Sequence, residues 1–186
     1  SFALADEDAS VRVAAVRALG AIGAAVELDA IVAAASDVVL VAPALTALMA
    51  ADRRLGEARI LSLVESHDPG LACVAVEASA RALHSVRVDV LRSALSHSSV
   101  DVVVTAVSEM DADLVRELID GLATVAGHPR AEVRSLVAAL LGESEAEGAR
   151  ALLASRHARE TDPVVRSVLD DALLSGTEHP SPGAVP

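Results

Sequence analysis

Asp8-Ala9-Ser10-Val11-Arg12-Val13-Ala14-Ala15-Val16-Arg17-Ala18-Leu19 is the stretch that decides the fold. Within it and just beyond, Val11, Ala14, Ala15, Ala18, Leu19 and Ile22 fall at i, i+3, i+4, i+7, i+8 and i+11, one stripe of an α-helix. The outline then returns. Asp37 to Leu48 repeats it with Leu40, Ala44, Leu45, Ala47 and Leu48 in register, and further copies begin at Asp68, Ser99, Arg130 and Asp162. The leading apolar residue of each copy stands at 11, 40, 71, 102, 133 and 165, in steps of 29, 31, 31, 31 and 32. A period this regular identifies a repeat architecture.

Between the copies runs a second apolar-periodic segment: Ile31 to Ala35, Leu55 to Val64, Val86 to Leu95, Leu114 to Val125 and Ala149 to Ala154. Two helices per period, joined by short loops, predict an αα-hairpin repeat. Asp68 before Pro69 and Asp162 before Pro163 place a side-chain acceptor at the N-cap and proline in the first turn. Pro43 falls inside the second copy, where it should kink the helix or delay its start. Val100 to Val107 is the one stretch where strand propensity competes.

From Leu4 through Asp8, Val11, Arg12, Ala15, Ala18, Leu19, Gly20, Ile22 and Gly23 the chain resembles a HEAT repeat. More narrowly, it is similar to the short HEAT-like repeats named after phycobilisome lyases. Glu132-Val133-Arg134 and Val164-Val165-Arg166 match their Val-Arg element. The resemblance implies an all-α fold, a right-handed superhelix of about six helix-hairpin repeats over residues 1–175, used mostly as a scaffold for other proteins. It also makes the Val-Arg helix the second of its pair, so the first repeat is incomplete and the chain is expected to be part of a longer one. In that family the Arg joins a polar ladder with an Asp of the inter-helix turn. Here it becomes Val41, Ala72 and Val103 in the middle copies, so the ladder is expected only near the ends. Residues 176–186, with Pro180, Pro182, Gly183 and Pro186, are expected to form a disordered tail.

Composition narrows the function. All 15 basic residues are Arg, against 27 acids, and the net charge of -12 opposes a phosphate backbone. Phe2 is the only aromatic residue, so bases find no stacking platform and no nucleic-acid partner is expected. Residues 1–93 carry 12 acids and 8 Arg, residues 94–186 carry 15 and 7; a partner recruited by charge would be basic and would meet the second half. The single Cys73 excludes an internal disulfide, and no signal peptide or membrane-length apolar run is present, which suggests a cytoplasmic protein without membrane attachment.

Catalytic signatures are missing, and no cofactor is expected. His67, His97 and His128 recur in register, but successive repeats stack too far apart for one metal ion, so they are expected as turn residues. The paired His-Glu dipeptides of HEAT-like di-iron enzymes are lacking, as are a phosphate loop and a nucleophile elbow. Cys73 has no basic neighbour to activate it and is expected as a buried, inert thiol. The acidic clusters around Glu109 and Asp113 and at Glu143, Glu145 and Glu147 lack the pattern of a calcium loop.

A candidate partner-binding site comes from the positions one, two and five after the leading residue, expected to face outward. In the middle copies these are apolar: Val41, Ala42 and Leu45; Ala72, Cys73 and Val76; Val103, Val104 and Val107. They would form either a concave apolar strip for a protein partner, oriented by Glu109 and Asp113, or an inner layer covered by other helices or by the remainder of a longer parent chain. The expected function is a non-catalytic scaffold, with a chromophore-holding subunit similar to bilin lyases as the alternative.

Overall fold

A computed structural model describes residues 2–34, 37–146 and 148–175; the tail expected over 176–186 lies outside the described residues. All regular structure among them is helical, twelve α-helices and one 3-10 turn (Phe2–Ala5), with no strand. The leading helices of the six sequence copies are α1 (Ala9–Ala21), α3 (Val38–Ala51), α5 (Pro69–Ser79), α7 (Val100–Ser108), α10 (Ala131–Gly142) and α12 (Pro163–Ser175). The segments between them fold as α2 (Ala25–Ala34), α4 (Arg53–Leu63), α6 (His84–Leu95), the pair α8 (Ala112–Glu117) and α9 (Ile119–Val125), and α11 (Ala149–His157). Helical periodicity thus prevails over strand propensity in the valine-rich α7. One helix expected over Leu114 to Val125 divides at Leu118, whose φ of -114° and ψ of 14° leave the α region.

Two compact units are present, residues 1–106 and 107–186. In the first, α1 packs on α3 and α3 on α5, while α2 packs on α4 and α4 on α6. The leading helices therefore form one layer and the intervening helices another, with the core between. In the second, α10 packs on α12, and α11 joins both.

Caps fix where the leading helices begin. Asp8, Asp37, Asp68 and Asp162 each accept a hydrogen bond from the N–H two residues on. Leu83, at the start of α6, has no such side chain; its N–H donates instead to Oε1 of the buried Glu57 on α4, at 2.9 Å. Pro43 sits inside α3 without delaying its start. The bond it cannot donate would have ended on the carbonyl of Val39, a residue on the exposed side of the helix.

Candidate functional site

The two layers assign a direction to every position of a leading helix, counted here from its first apolar residue. The +1 and +9 residues of α1 point at α3. Arg12 Nη2 lies 3.0 Å from Asp37 Oδ2, and a Cβ added to Gly20 would stand 2.8 Å from the Cβ of Ala47. The pair α10 and α12 repeats the glycine contact at the same positions, a Cβ on Gly142 standing 2.7 Å from that of Ala172, while Arg134, again at +1, donates at 2.7 and 2.9 Å to an acid two residues earlier in the turn, Glu160. The +1, +5 and +9 residues are thus the face on which the following helix of the layer stacks.

That direction decides between the two alternatives, in favour of an inner layer covered by other helices over an open apolar strip. Val41, Leu45, Val76, Val103 and Val107 occupy +1 and +5 and are buried. Cys73 and Val104, at +2, are half-buried, so the expectation of a fully buried thiol is corrected as well; Thr105 Oγ1 lies 3.5 Å from Cys73 Sγ. Glu109 is half-buried and Asp113 is exposed in the first turn of α8. A helix packed against neighbours within its layer and against the other layer is buried on more than one stripe.

The side that remains outward carries positions -1, +2, +3 and +6. In the first unit this is Val39, Ala42, Pro43 and Thr46 on α3, and Gly70, Cys73, Val74 and Glu77 on α5. These are mostly small and neutral, and Val39 is 56% exposed. On α10 and α12 the same positions mix Glu132, Ser135, Ser167 and Asp171 with the apolar Leu136, Ala139, Val164 and Val168.

A second recurring feature lies in the turns before these helices. At position -5 stand Asp6, Ser66, His97, His128 and Glu160, and each accepts a hydrogen bond from the N–H two residues on. Aligning polar as well as apolar positions finds this acceptor, which otherwise hides behind four residue types. The turn role expected for His97 and His128 is observed. The ladder joins the turns. Arg12 Nη1 donates to the carbonyls of Asp6 and Glu7, and Arg134 Nη1 to those of His128 and Pro129, before each guanidinium reaches the acid of the next turn. The Arg134 hydrogen bonds, aided by the N–H groups of Asp162 and Thr161, hold the Glu160 carboxyl down to about 2. In the other layer Arg59 donates to both oxygens of Asp29 and lowers that carboxyl too.

Among the described residues, no three His, Cys, Asp or Glu side chains are grouped to hold a metal ion. A cavity of about 400 Å³ in the second unit is lined by Leu141, Glu143, Ser144, Glu145, Arg150 and Ser175. Another, of about 300 Å³ in the first unit, lies between the turns of Ser66 and His97, with both imidazole nitrogens of His97 already hydrogen-bonded. Among the described residues no helix is long and apolar enough to cross a membrane.

No family model and no curated protein matches the chain. Among solved structures it is similar to the crystal structure of an engineered protein, a Northeast Structural Genomics Consortium target. The two share 18% identity and a TM-score of 0.52 over 94% of this chain and 93% of the other. At that identity the likeness speaks to the fold alone.

Proposed function

We propose that the chain is a HEAT-like α-solenoid of about six helix-hairpin repeats, serving as a non-catalytic cytoplasmic scaffold that binds another protein. The observation that carries this reading is the shared stacking register. In both units Arg at +1 meets an acid of the turn before the next leading helix, and Gly at +9 meets an Ala of that helix. Helices stacked in one register present equivalent side chains at even intervals, which suits a long binding surface better than a single reactive centre. The binding face is the outward row of the first unit, around Val39, Ala42, Thr46 and Cys73; within the second unit, considered by itself, Asp113, Glu132 and Asp171 are the charges that would attract a basic partner.

The test is capture of a partner from its source by the intact chain, compared with Val39→Glu and Thr46→Arg. Both positions are exposed, so melting temperatures should stay within about 2 °C of the parent. Loss of the captured protein in both variants supports the outward face. Capture that survives both refutes it, and stoichiometric retention of a bilin would replace the scaffold with the lyase-like reading.

A further inference from the structure

The two ends of the helices in the first unit differ in charge. The turns that precede the leading helices carry Glu7, Asp8, Asp37, Glu65, Asp68 and Asp101. At the opposite end, where a leading helix passes into the next intervening one, stand Arg53 and Arg54 at the start of α4 and Arg81 between α5 and α6. Asp52 is the one acid among residues 50–54 and 79–83, and its Oδ1 caps α4 by accepting from the N–H of Leu55 at 3.1 Å.

These arginines gain nothing from the unit that holds them. Arg53 and Arg54 occupy the first turn of α4, the positive end of the helix dipole, where acids are favoured. All three are exposed, and among the described residues no guanidinium of the three has an ion-pair or hydrogen-bond partner. Arg12, Arg59 and Arg92 of the same unit are each paired with an aspartate. Glu57, one turn further along α4, faces inward: it is buried, and its Oε1 accepts from the N–H of Leu83 at 2.9 Å. That bond holds the turn of Arg81 against α4 and leaves the side chain of Leu83 52% exposed. The α3–α4 turn is open along its side, because α3 already packs between α1 and α5, and α4 between α2 and α6.

We propose that this rim, Arg53, Arg54 and Arg81 with Leu83, docks an acidic segment of a partner protein, a run of glutamates or aspartates around an aliphatic residue. Charge complementarity sets the acids, since each guanidinium presents a planar fork of donors that matches a carboxylate. The acidic turns at the far end of the same helices repel such a segment and confine it to this rim. Leu83 sets the aliphatic residue. A narrow segment meets the three arginines alone, whereas an anionic bilayer would also face the remainder of a unit in which residues 1–106 carry 13 acids and 8 Arg. The inference is independent of the outward-face reading, whose residues lie along the helices and not at their turns.

The experiment titrates a fluorescent peptide, Glu-Glu-Leu-Glu-Glu-Leu-Glu-Glu, into the intact chain at low ionic strength, in parallel with phosphatidylserine vesicles. Saturable peptide binding that weakens as salt is raised is expected. Arg54→Gln and Arg81→Gln should each weaken it about two- to fivefold, and the two together with Arg53→Gln about tenfold or more, with the melting temperature unchanged. Arg92→Gln removes the same charge from the last turn of α6, at the opposite end of the unit, and should leave the affinity as it was. Absence of saturable binding overturns the proposal. So does an equal loss with Arg92→Gln, which would reduce the effect to net charge. Vesicles that bind through the three arginines while the peptide does not would give the rim to a membrane. A salt-sensitive self-association abolished by the triple variant would give it to the acidic turns of a second copy.

Discussion

His97 Nε2 lies 3.0 Å from the carbonyl oxygen of Ser66, one repeat earlier, and stands in for an arginine that the chain lacks there. In the first and fifth copies, Arg12 and Arg134 donate to the carbonyl at -5 of their own turn. Ser66 is that residue in the third copy, where +1 is Ala72. His97 Nδ1 accepts from the N–H of Ser99 at 3.0 Å, so Nε2 carries the proton and donates. The imidazole thereby links two turns as the guanidinium does elsewhere.

Removing it tests that role. His97→Ala should cost about 1–2 kcal/mol, because it leaves the Ser99 N–H and the Ser66 carbonyl without their partner. His97→Asn should recover the Ser99 bond alone and fall in between. Denaturant melts, with amide exchange at Ser99, measure both; an alanine variant as stable as the parent would refute the link.

Acid should unfold the second unit through Glu160. Its carboxyl titrates at about 2 when folded, below the ordinary 4.5, chiefly because Arg134 hydrogen-bonds it. A depressed carboxyl adds stability that is complete above the unfolded value and lost as pH falls through the folded one. Stability should therefore drop between roughly pH 5 and 2. Glu160→Gln should cost roughly 2–3 kcal/mol at pH 7 and flatten the decline. Melting curves of both chains at pH 7 and pH 3 decide it: a parallel decline would show that Glu160 carries none of the acid lability.

The period, the helices and most caps were legible in the sequence because they rest on local rules: a 3.6-residue stripe, and Asp or Pro at a helix start. The Arg12–Asp37 pairing was not: the family resemblance implied a ladder between the Arg and an Asp of an inter-helix turn, but which acid 25 residues away it meets is a matter of stacking. Nor was direction around the helix. Val41 and Val39 are two residues apart with the same side chain, yet one is buried and the other exposed. What separates them is the neighbour within the layer, a contact between residues one repeat apart that no window of the sequence displays. Val11 and Leu40 likewise match in pattern yet differ in burial, at 38% and 9% exposed.

Gly142 and Gly20 offer a test in which two rules conflict. Alanine is the better helix former by about 1 kcal/mol, so Gly→Ala inside an ordinary helix stabilises. Here the new Cβ would stand 2.7 Å from the Ala172 Cβ at Gly142, and 2.8 Å from the Ala47 Cβ at Gly20. Separating the helices forfeits packing worth about 1–3 kcal/mol. Gly142→Ala should therefore be destabilising, and Ala172→Gly in the same chain should recover part of the loss. A stabilised Gly142→Ala would show that α10 and α12 sit farther apart than this register requires.

Leu45 and Val39 together test the assignment of the outward face. Both lie on α3, six residues apart, and an apolar strip on its surface would treat them alike. Leu45 is 0% exposed at the position that faces the next helix of the layer, and Val39 is 56% exposed on the outward side. A carboxylate at Leu45 enters a site without a partner, where it must either stay charged in an apolar setting or take up a proton well above its usual range. Leu45→Glu should thus cost about 3–5 kcal/mol, comparable to an unpaired buried charge, and should recover partly at low pH as the carboxyl protonates. Val39→Glu leaves its carboxylate in water and should shift stability by less than about 0.5 kcal/mol. Urea melts of the two variants at pH 7 and pH 5 provide the comparison. Equal tolerance at both positions would return Leu45 to the surface, and with it the strip that runs through Val41, Val76 and Val107.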